Sequence, residues 1–426
     1  MHFISFMITL PHIFRISLFI VAAILLATSS GCSLKENNDG IDQPLFVDIF
    51  VAGQEDITGY NDEPYAKFRE QNVVVTNSGS IVTVVQGRNS SDWCDRSGQD
   101  LWCKISTDNG LTWSEPVLID DQGEKSIVPN ASVYDKETGR ILTLYSVVQW
   151  PFTDAESRFD WGEGSEHEEY WEGSHYRQYV VHSDDGGYTW SEPRDISSMV
   201  KDPSVIQIFG SGEGIQLKNS EYKGRLIVPG GDFQEPYKRV FAWISDDHGE
   251  TWQAGNAVPN PHNRITPCEN AIVELSDGTL LMNQRSHDPG NRWKSYSSDG
   301  GETWSPFEMI EDMPSVSCNA SIIRVNHKGT DVLLYAGPVG PNPYTTEGEY
   351  AEEFRWAERR VNGVLFASTD NGKTWPFRRV LVPGKFAYSS LVELDDGDIG
   401  LFYESNNHHD IRLLKFSLDW LFECLI

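Results

Sequence analysis

An eight-residue pattern, S-x-D-x-G-x-T-W, occurs five times in this chain, at Ser106–Trp113, Ser183–Trp190, Ser245–Trp252, Ser297–Trp304 and Ser368–Trp375. Successive starts lie 77, 62, 52 and 71 residues apart, a mean of 65.5, which is room for a four-stranded antiparallel sheet with its loops. Each copy reads as a hairpin turn. The Ser and Asp side chains accept backbone N–H bonds inside the turn, the Gly supplies a positive φ, and the Trp covers one side. Asp108, Asp185, Asp247, Asp299 and Asp370 are therefore structural, because one residue filling five equivalent turns cannot mark a single chemical centre. Short strand-like runs lie between the copies, at 80–85, 140–147, 225–228, 280–283 and 332–335, each preceded by a turn containing Gly or Asp. The sequence carries no long amphipathic helical stretch.

The 426 residues would ordinarily predict two or three domains, but all-β propellers exceed that expectation as single units. With 39% hydrophobic residues, 36 Gly and 21 Pro, the chain has both a core and the turns that an all-β fold consumes. A formal charge of −29 argues against binding nucleic acid or an anionic membrane through bulk charge, so an anionic partner must be held by a local basic cluster. Residues 1–31 stand apart. Arg15 is their only Lys or Arg, and an apolar run from Ile16 to Ala27 leads to small residues before Cys32, as in an export signal. Ser29-Ser30-Gly31-Cys32 resembles a bacterial lipoprotein processing site, with Ser29 where Leu is usual. The expectation is a lipid anchor at Cys32, with plain secretion as the alternative; the location is then the periplasm, the outer membrane or the cell surface. Of the other cysteines, Cys94 and Cys103 are close enough in sequence to close a short loop. Their odd number leaves a thiol over, and buried free cysteines are expected for most.

Five boxes at this spacing resemble the Asp-box (BNR repeat) propellers, and the whole set resembles the bacterial exo-α-sialidases, or neuraminidases. The resemblance implies an all-β, six-bladed propeller spanning residues 45–426 as one domain, its sixth blade completed by a strand from each end, Phe46–Val51 and Asp410–Phe416. Asp boxes also occur in non-enzymatic propellers and bear on fold alone.

Function is carried by residues outside the boxes. Tyr65-Ala-Lys-Phe68-Arg69 resembles the family's first arginine motif, with Glu70-Gln71 where Ile-Pro is usual. Gln86-Gly87-Arg88 resembles the motif that precedes the acid/base aspartate. Asp92 is the choice for that role, ahead of Asp95 and Asp100. Glu269 and Arg285, sixteen positions apart, match the family's pairing of a glutamate with a second arginine. That spacing fits two adjacent strands joined by a hairpin at Asp277-Gly278, with both functional ends on one rim. Arg360, with Arg359 as the near alternative, stands where the third arginine is expected. The segment from Phe386 to Leu391 resembles the nucleophilic tyrosine segment, which makes Tyr388 the nucleophile, and Glu404 takes the place of the glutamate that braces the first arginine.

The chemistry suits these residue types. A sialic acid carries its carboxylate on the anomeric carbon, and guanidinium groups offer planar paired donors that stay protonated. A carboxylate nucleophile would approach that carbon against the substrate's own charge, whereas a neutral phenol meets no such repulsion. With a free pKa of about 10 the phenol needs a neighbouring base, here Glu269. Taken singly, an Arg or Tyr in a strand is a surface ion pair or a core edge; the conjunction in chain order outweighs that reading. The resemblance thus implies a retaining exo-α-sialidase acting on sialylated glycans without cofactor or metal. Two alternatives stay open: a hydrolase for another acidic keto-sugar, and a silent glycan-binding lipoprotein. Gly210–Leu217 resembles a loop facing the channel, where Glu213 is weighed as a substrate contact. The stretch from Trp150 to Tyr176, with three Trp among eight acidic residues, reads as a charged rim loop or an aromatic sugar platform. His167 and His175 lack metal-ligand spacing.

Overall fold

The computed structural model describes residues 43–54, 57–59, 62–89, 98–149, 175–199, 212–219, 221–232, 239–286, 290–343 and 359–423. Outside them lie residues 1–42 with Cys32, expected to hold an export signal, the stretch holding Asp92, Cys94 and Asp95, the greater part of the loop from Trp150, and Cys424.

Among the described residues the chain runs almost wholly in strands. β1 (Leu45–Phe50) is followed by β2 (Lys67–Val75), β3 (Ile81–Arg88), β4 (Gln99–Ser106) and β5 (Val117–Asp120), then by β6 (Ser126–Asp135), β7 (Arg140–Gln149), β8 (His175–Ser183) and β9 (Arg194–Asp195). Next come β10 (Ile215–Gln216), β11 (Leu226–Asp232), β12 (Arg239–Ser245) and β13 (Gln253–Ala254), and after them β14 (Pro267–Glu274), β15 (Leu280–Ser286), β16 (Gly290–Ser297) and β17 (Glu308–Ser315). β18 (Ser321–His327), β19 (Thr330–Pro338), β20 (Val361–Ser368) and β21 (Phe377–Lys385) precede β22 (Ser389–Glu393), β23 (Ile399–Ser405), β24 (Asp410–Phe416) and the short helix α1 (Leu418–Phe422).

These strands form four four-stranded sheets and one of eight. The eight-stranded sheet consists of two antiparallel halves, β2 to β5 and β6 to β9, joined by a single parallel pair, Gln99 with Ser126. β1 pairs with β24, so a strand from near each end of the described chain shares one sheet with β22 and β23, at the expected places. The innermost strands touch in sequence: β2 meets β6, β6 meets β11, β11 meets β14, β14 meets β18, β18 meets β22, and β22 returns to β2. The result is an all-β propeller, its sheets radiating from a central channel.

Apolar side chains fill the spaces between successive sheets rather than one central core. Val133 and Leu144 pack against Val228 and Trp243, and Val273 and Leu281 against Leu333 and Phe366. The Asp boxes bind these layers together. In each, the Ser hydroxyl donates to the Asp, and the Asp accepts the Thr amide and hydroxyl; for Asp247 the distances are 2.9 Å from Ser245 Oγ, 2.8 Å from the Thr251 amide and 2.6 Å from Thr251 Oγ1. The box glycine then enters the preceding sheet. Gly249, at φ +85°, would place a Cβ 2.6 Å from Leu142, and Gly372, at φ +76°, would place one 2.7 Å from Leu281, so any side chain there is both strained and obstructed. Asp247→Ala, which strips several hydrogen bonds from one turn, is expected to cost about 1–2 kcal/mol, a fall of about 2–6 °C in the calorimetric midpoint.

The strands extend further than the apolar runs in the sequence. β3 continues through Gln86-Gly87-Arg88 and β15 through Asn283 to Ser286, with every residue of both strands buried. These polar ends enter the channel, where neighbouring strands satisfy them: Gln86 Nε2 donates to Ile127 O at 2.6 Å, and Asn283 Oδ1 accepts from Arg292 Nε at 2.7 Å. Cys103, Cys268 and Cys318 are buried free thiols.

Candidate active site

The ends of five strands, β2, β14, β15, β22 and β23, converge at one mouth of the channel. Glu269 and Arg285 sit on β14 and β15, adjacent antiparallel strands whose connecting turn has Gly278 at φ +83°. Tyr388 directly precedes β22, and its carbonyl accepts the Glu404 amide at 3.0 Å, so tyrosine and glutamate face each other across one hairpin. Arg69 lies on β2 just before a bulge that spans Glu70 and Gln71, with Glu70 at φ +54°. Glu70-Gln71 thus form the bulge itself. The Glu70 amide points at Glu404 Oε1, at 3.1 Å, and Gln71 Nε2 holds the Tyr388 carbonyl at 2.9 Å.

Tyr388 is the centre of the cluster. Its hydroxyl donates to Glu269 Oε1 and accepts from Arg285 Nη1 at 3.0 Å, while Arg285 also pairs with Glu269 Oε2. The guanidinium carbons of Arg69 and Arg360 lie 5.0 and 5.2 Å from the Tyr388 ring centroid, within the range of cation–π attraction. The three arginines and the tyrosine are all buried. Glu404 accepts from Arg69 Nε at 3.1 Å and Nη2 at 3.3 Å, and from His408 Nδ1 at 2.8 Å. Arg88 donates to Glu70 Oε1 at 2.6 Å and to Gln86 Oε1 at 2.9 Å. Four guanidinium groups against the carboxylates of Glu70, Glu269 and Glu404 leave a surplus of one positive charge in a protein of net charge −29. This is the local basic cluster that an anionic ligand requires.

The electrostatics separate the two key acids. Burial and the Glu269 charge push the Tyr388 phenol well above its ordinary pKa, while Arg285 and Arg360 pull the other way. The phenol is therefore protonated at rest, and Glu269 is placed to take its proton. Burial alone would raise the Glu404 carboxyl, but Arg69, His408 and the Glu70 amide hold it far below the usual range. Burial drives the His408 imidazole down to about 4 against the pull of Glu404, so it faces Glu404 as a neutral donor.

Ser317 had no sequence signal. At φ +56° it accepts from Arg285 Nε through its hydroxyl, at 3.2 Å, and from Arg360 Nη2 through its carbonyl, at 3.3 Å, and so ties two of the arginines together. Strained backbone of this kind persists where the surroundings over-determine it. His408 was likewise silent and Gln71 stood out only as a departure from the first arginine motif, since a polar residue's role as a brace depends on what folds against it. Asp92 lies outside the described residues. Asp100, one of its fallbacks, is committed elsewhere: it pairs across β3 with Gly87, places its carboxyl on the Tyr65 hydroxyl, and is pushed by burial up to about 7. Arg359 stands beside Arg360 in the chain, but it is Arg360 whose guanidinium covers Tyr388. No group of three or more His, Cys, Asp and Glu able to hold a metal occurs among the described residues.

The sequence profile of the BNR repeat-like domain family matches residues 95–401. A sialidase of Micromonospora viridifaciens is 30% identical over 97% of this chain and 61% of its own length, and a sialidase of Bacteroides fragilis is 28% identical over 88% and 65%. Among solved structures, a Hadza microbial sialidase superposes with a TM-score of 0.66 at 28% identity, covering 83% of this chain and 66% of that one. A leech intramolecular trans-sialidase, with a TM-score of 0.65 at 20% identity over 84% of this chain and 69% of that one, shares the fold. The chain thus spans about three fifths to two thirds of the length of the two bacterial sialidases and the Hadza sialidase.

Proposed function

Since this chain belongs to the BNR repeat-like domain family, we propose that it is an exo-α-sialidase, a glycoside hydrolase that removes terminal α-linked sialic acids from glycoconjugates with retention of configuration. One observation carries the reading: Arg285 stands 3.0 Å from the Tyr388 hydroxyl while Arg69 and Arg360 flank its ring at 5.0 and 5.2 Å. An anion held by these groups lies directly against the phenol. Neutral sugars gain nothing from such a site; a sugar with a carboxylate on its anomeric carbon gains charge-assisted bonds there and is placed for attack.

In the proposed reaction the Tyr388 oxygen bonds to the anomeric carbon and its proton passes to Glu269. The glycosidic bond breaks, and the departing oxygen takes a proton from Asp92, a role that rests on resemblance. Asp92 then removes a proton from water, which attacks the same carbon, and Tyr388 leaves with the proton returned by Glu269. Two inversions give retention. Arg69, braced by Glu404, Arg285 and Arg360 bind the substrate carboxylate; Arg88 acts beside them. No step calls for a metal or cofactor. In the same reading the two halves of the eight-stranded sheet are separate blades, which makes six, and the amino-terminal segment exports the protein to a lipid anchor at Cys32.

The replacement of Ile-Pro by Glu70-Gln71 favours a second reading in one respect. A carboxylate paired with Arg88 alters the polarity of the pocket wall, as a different acidic keto-sugar would require. The deciding experiment incubates the protein with sialyllactose, with aryl α-glycosides of other acidic keto-sugars, and with intact sialoglycoprotein. Free sialic acid released in excess of the other products is the expected result. Faster cleavage of another keto-sugar selects the second reading, and glycan binding with no product makes the protein a binding module.

A further inference from the structure

Glu213 is the channel carboxyl that the reaction above leaves without a part. Its Oε2 accepts from Ser321 Oγ at 3.2 Å, and that same Ser321 oxygen accepts the Leu391 amide at 2.9 Å. The Ser390 hydroxyl lies beside the carboxyl, and its single proton goes to the Gln71 carbonyl at 3.1 Å. Gln71 in turn holds the Tyr388 carbonyl at 2.9 Å. Tyr388 directly precedes β22, on which Ser390 and Leu391 lie. Glu213 is thus joined through Ser321 and Ser390 to the strand that follows the phenol. Its Oε1 is shut away from solvent and accepts no hydrogen bond among the described residues.

The geometry favours the neutral acid. The Ser390 proton goes to the Gln71 carbonyl and the Ser321 proton to Oε2, which leaves Oε1 buried without a donor. An ionised oxygen so placed would carry its desolvation cost, which the neutral acid avoids.

We propose that Glu213 is a positioning residue: as a neutral carboxylic acid in the channel it clamps β22 through Ser321 and Ser390, and so fixes the Tyr388 phenol between Glu269 and the arginines. Burial raises its carboxyl to about 7 against hydrogen bonds from Ser390, its own amide, Ser321 and the Val73 amide, none of them charged. Around the adjoining glycines, Gly212 and Gly214, the packing groups are Asn270, Ala271, Pro229, Val133, Ile227 and Val228, which do not ionise either. The clamp is consequently intact in mild acid and weakens as the pH rises through about 7, where a charge appears on the buried oxygen that has no donor.

The proposal rests on the sialidase reading, and its test separates the two. The pH dependence of kcat and KM on an aryl α-sialoside is measured for the wild type, Glu213→Gln and Glu213→Ala, together with the thermal midpoint of each from pH 5 to 8. The glutamine amide accepts and donates as the neutral acid does but does not titrate. It is expected to keep kcat within about twofold at pH 5.5 and to hold it at pH 8, where the wild type has fallen by about tenfold, one pH unit above the group's midpoint. Glu213→Ala is expected to lose about tenfold or more in kcat with little change in KM. A carboxyl raised on folding stabilises less as pH increases from the ordinary carboxylate range through about 7, so the midpoint of the wild type should fall relative to Glu213→Gln over that interval. An identical alkaline limb in the wild type and the glutamine variant, or wild-type kcat in Glu213→Ala, overturns the proposal. Should the wild type release no sialic acid at all, the sialidase reading fails, and the thermal series still decides: a pH-independent difference in midpoint overturns the neutral acid.

Discussion

Tyr388→Phe is expected to reduce kcat for release of sialic acid from an aryl α-sialoside by about a thousandfold or more, the scale of nucleophile deletions. The substitution removes one oxygen. The phenylalanine ring keeps its place between the guanidinium groups of Arg69 and Arg360, which now lie 5.0 and 5.2 Å from the Tyr388 ring centroid. Substrate binding through those groups should survive, and KM should move little. Glu269 loses the hydroxyl but retains Arg285, so the thermal midpoint should shift by no more than the loss of a single buried hydrogen bond, about 1 kcal/mol. Steady-state kinetics and calorimetry on the same preparation give both quantities. Turnover within tenfold of the wild type would remove Tyr388 from the nucleophile's role and with it the double displacement.

Arg285→Ala should damage both binding and chemistry. Arg285 contacts the Tyr388 hydroxyl, pairs with Glu269 and donates Nε to Ser317 at 3.2 Å, all within buried surroundings. Truncating one partner of such a pair leaves the other charge buried and uncompensated, at a cost of about 2–5 kcal/mol. Expressed in kcat/KM that is about thirtyfold to several thousandfold. Arg285→Lys supplies the charge without the planar fork that spans Glu269 and the phenol oxygen, so its recovery should be partial. Full recovery in the lysine variant would show that charge alone suffices. Wild-type kcat/KM in the alanine variant would dissolve the anion-binding cluster as the basis of recognition.

What was legible in the chain beforehand follows the distance over which each interaction acts. The five boxes could be read because Ser, Asp, Gly and Thr within eight residues satisfy one another, and nothing remote is needed to interpret them. Glu269 and Arg285 could be paired because a hairpin brings their strands side by side. The extents of β3 and β15 were underestimated because polar residues interrupt the apolar pattern where a strand enters the channel, and the partners that make this tolerable, such as Ile127 for Gln86 and Ser317 for Arg285, lie 41 and 32 residues away in the chain.

The sequence alone determined the repeating sheet-and-turn scheme and the inventory of arginines, glutamates and tyrosine, since local hydrogen bonding and side-chain chemistry do not depend on context. Only the tertiary structure decided that they form one site. Arg69 meets Glu404 across 335 residues and Arg285 meets Tyr388 across 103, contacts that exist once the ring of inner strands closes. Ser317, His408, Gln71 and Glu213 take their meaning from the same closure. It removes water from their polar groups, and each must then find a partner on a neighbouring strand.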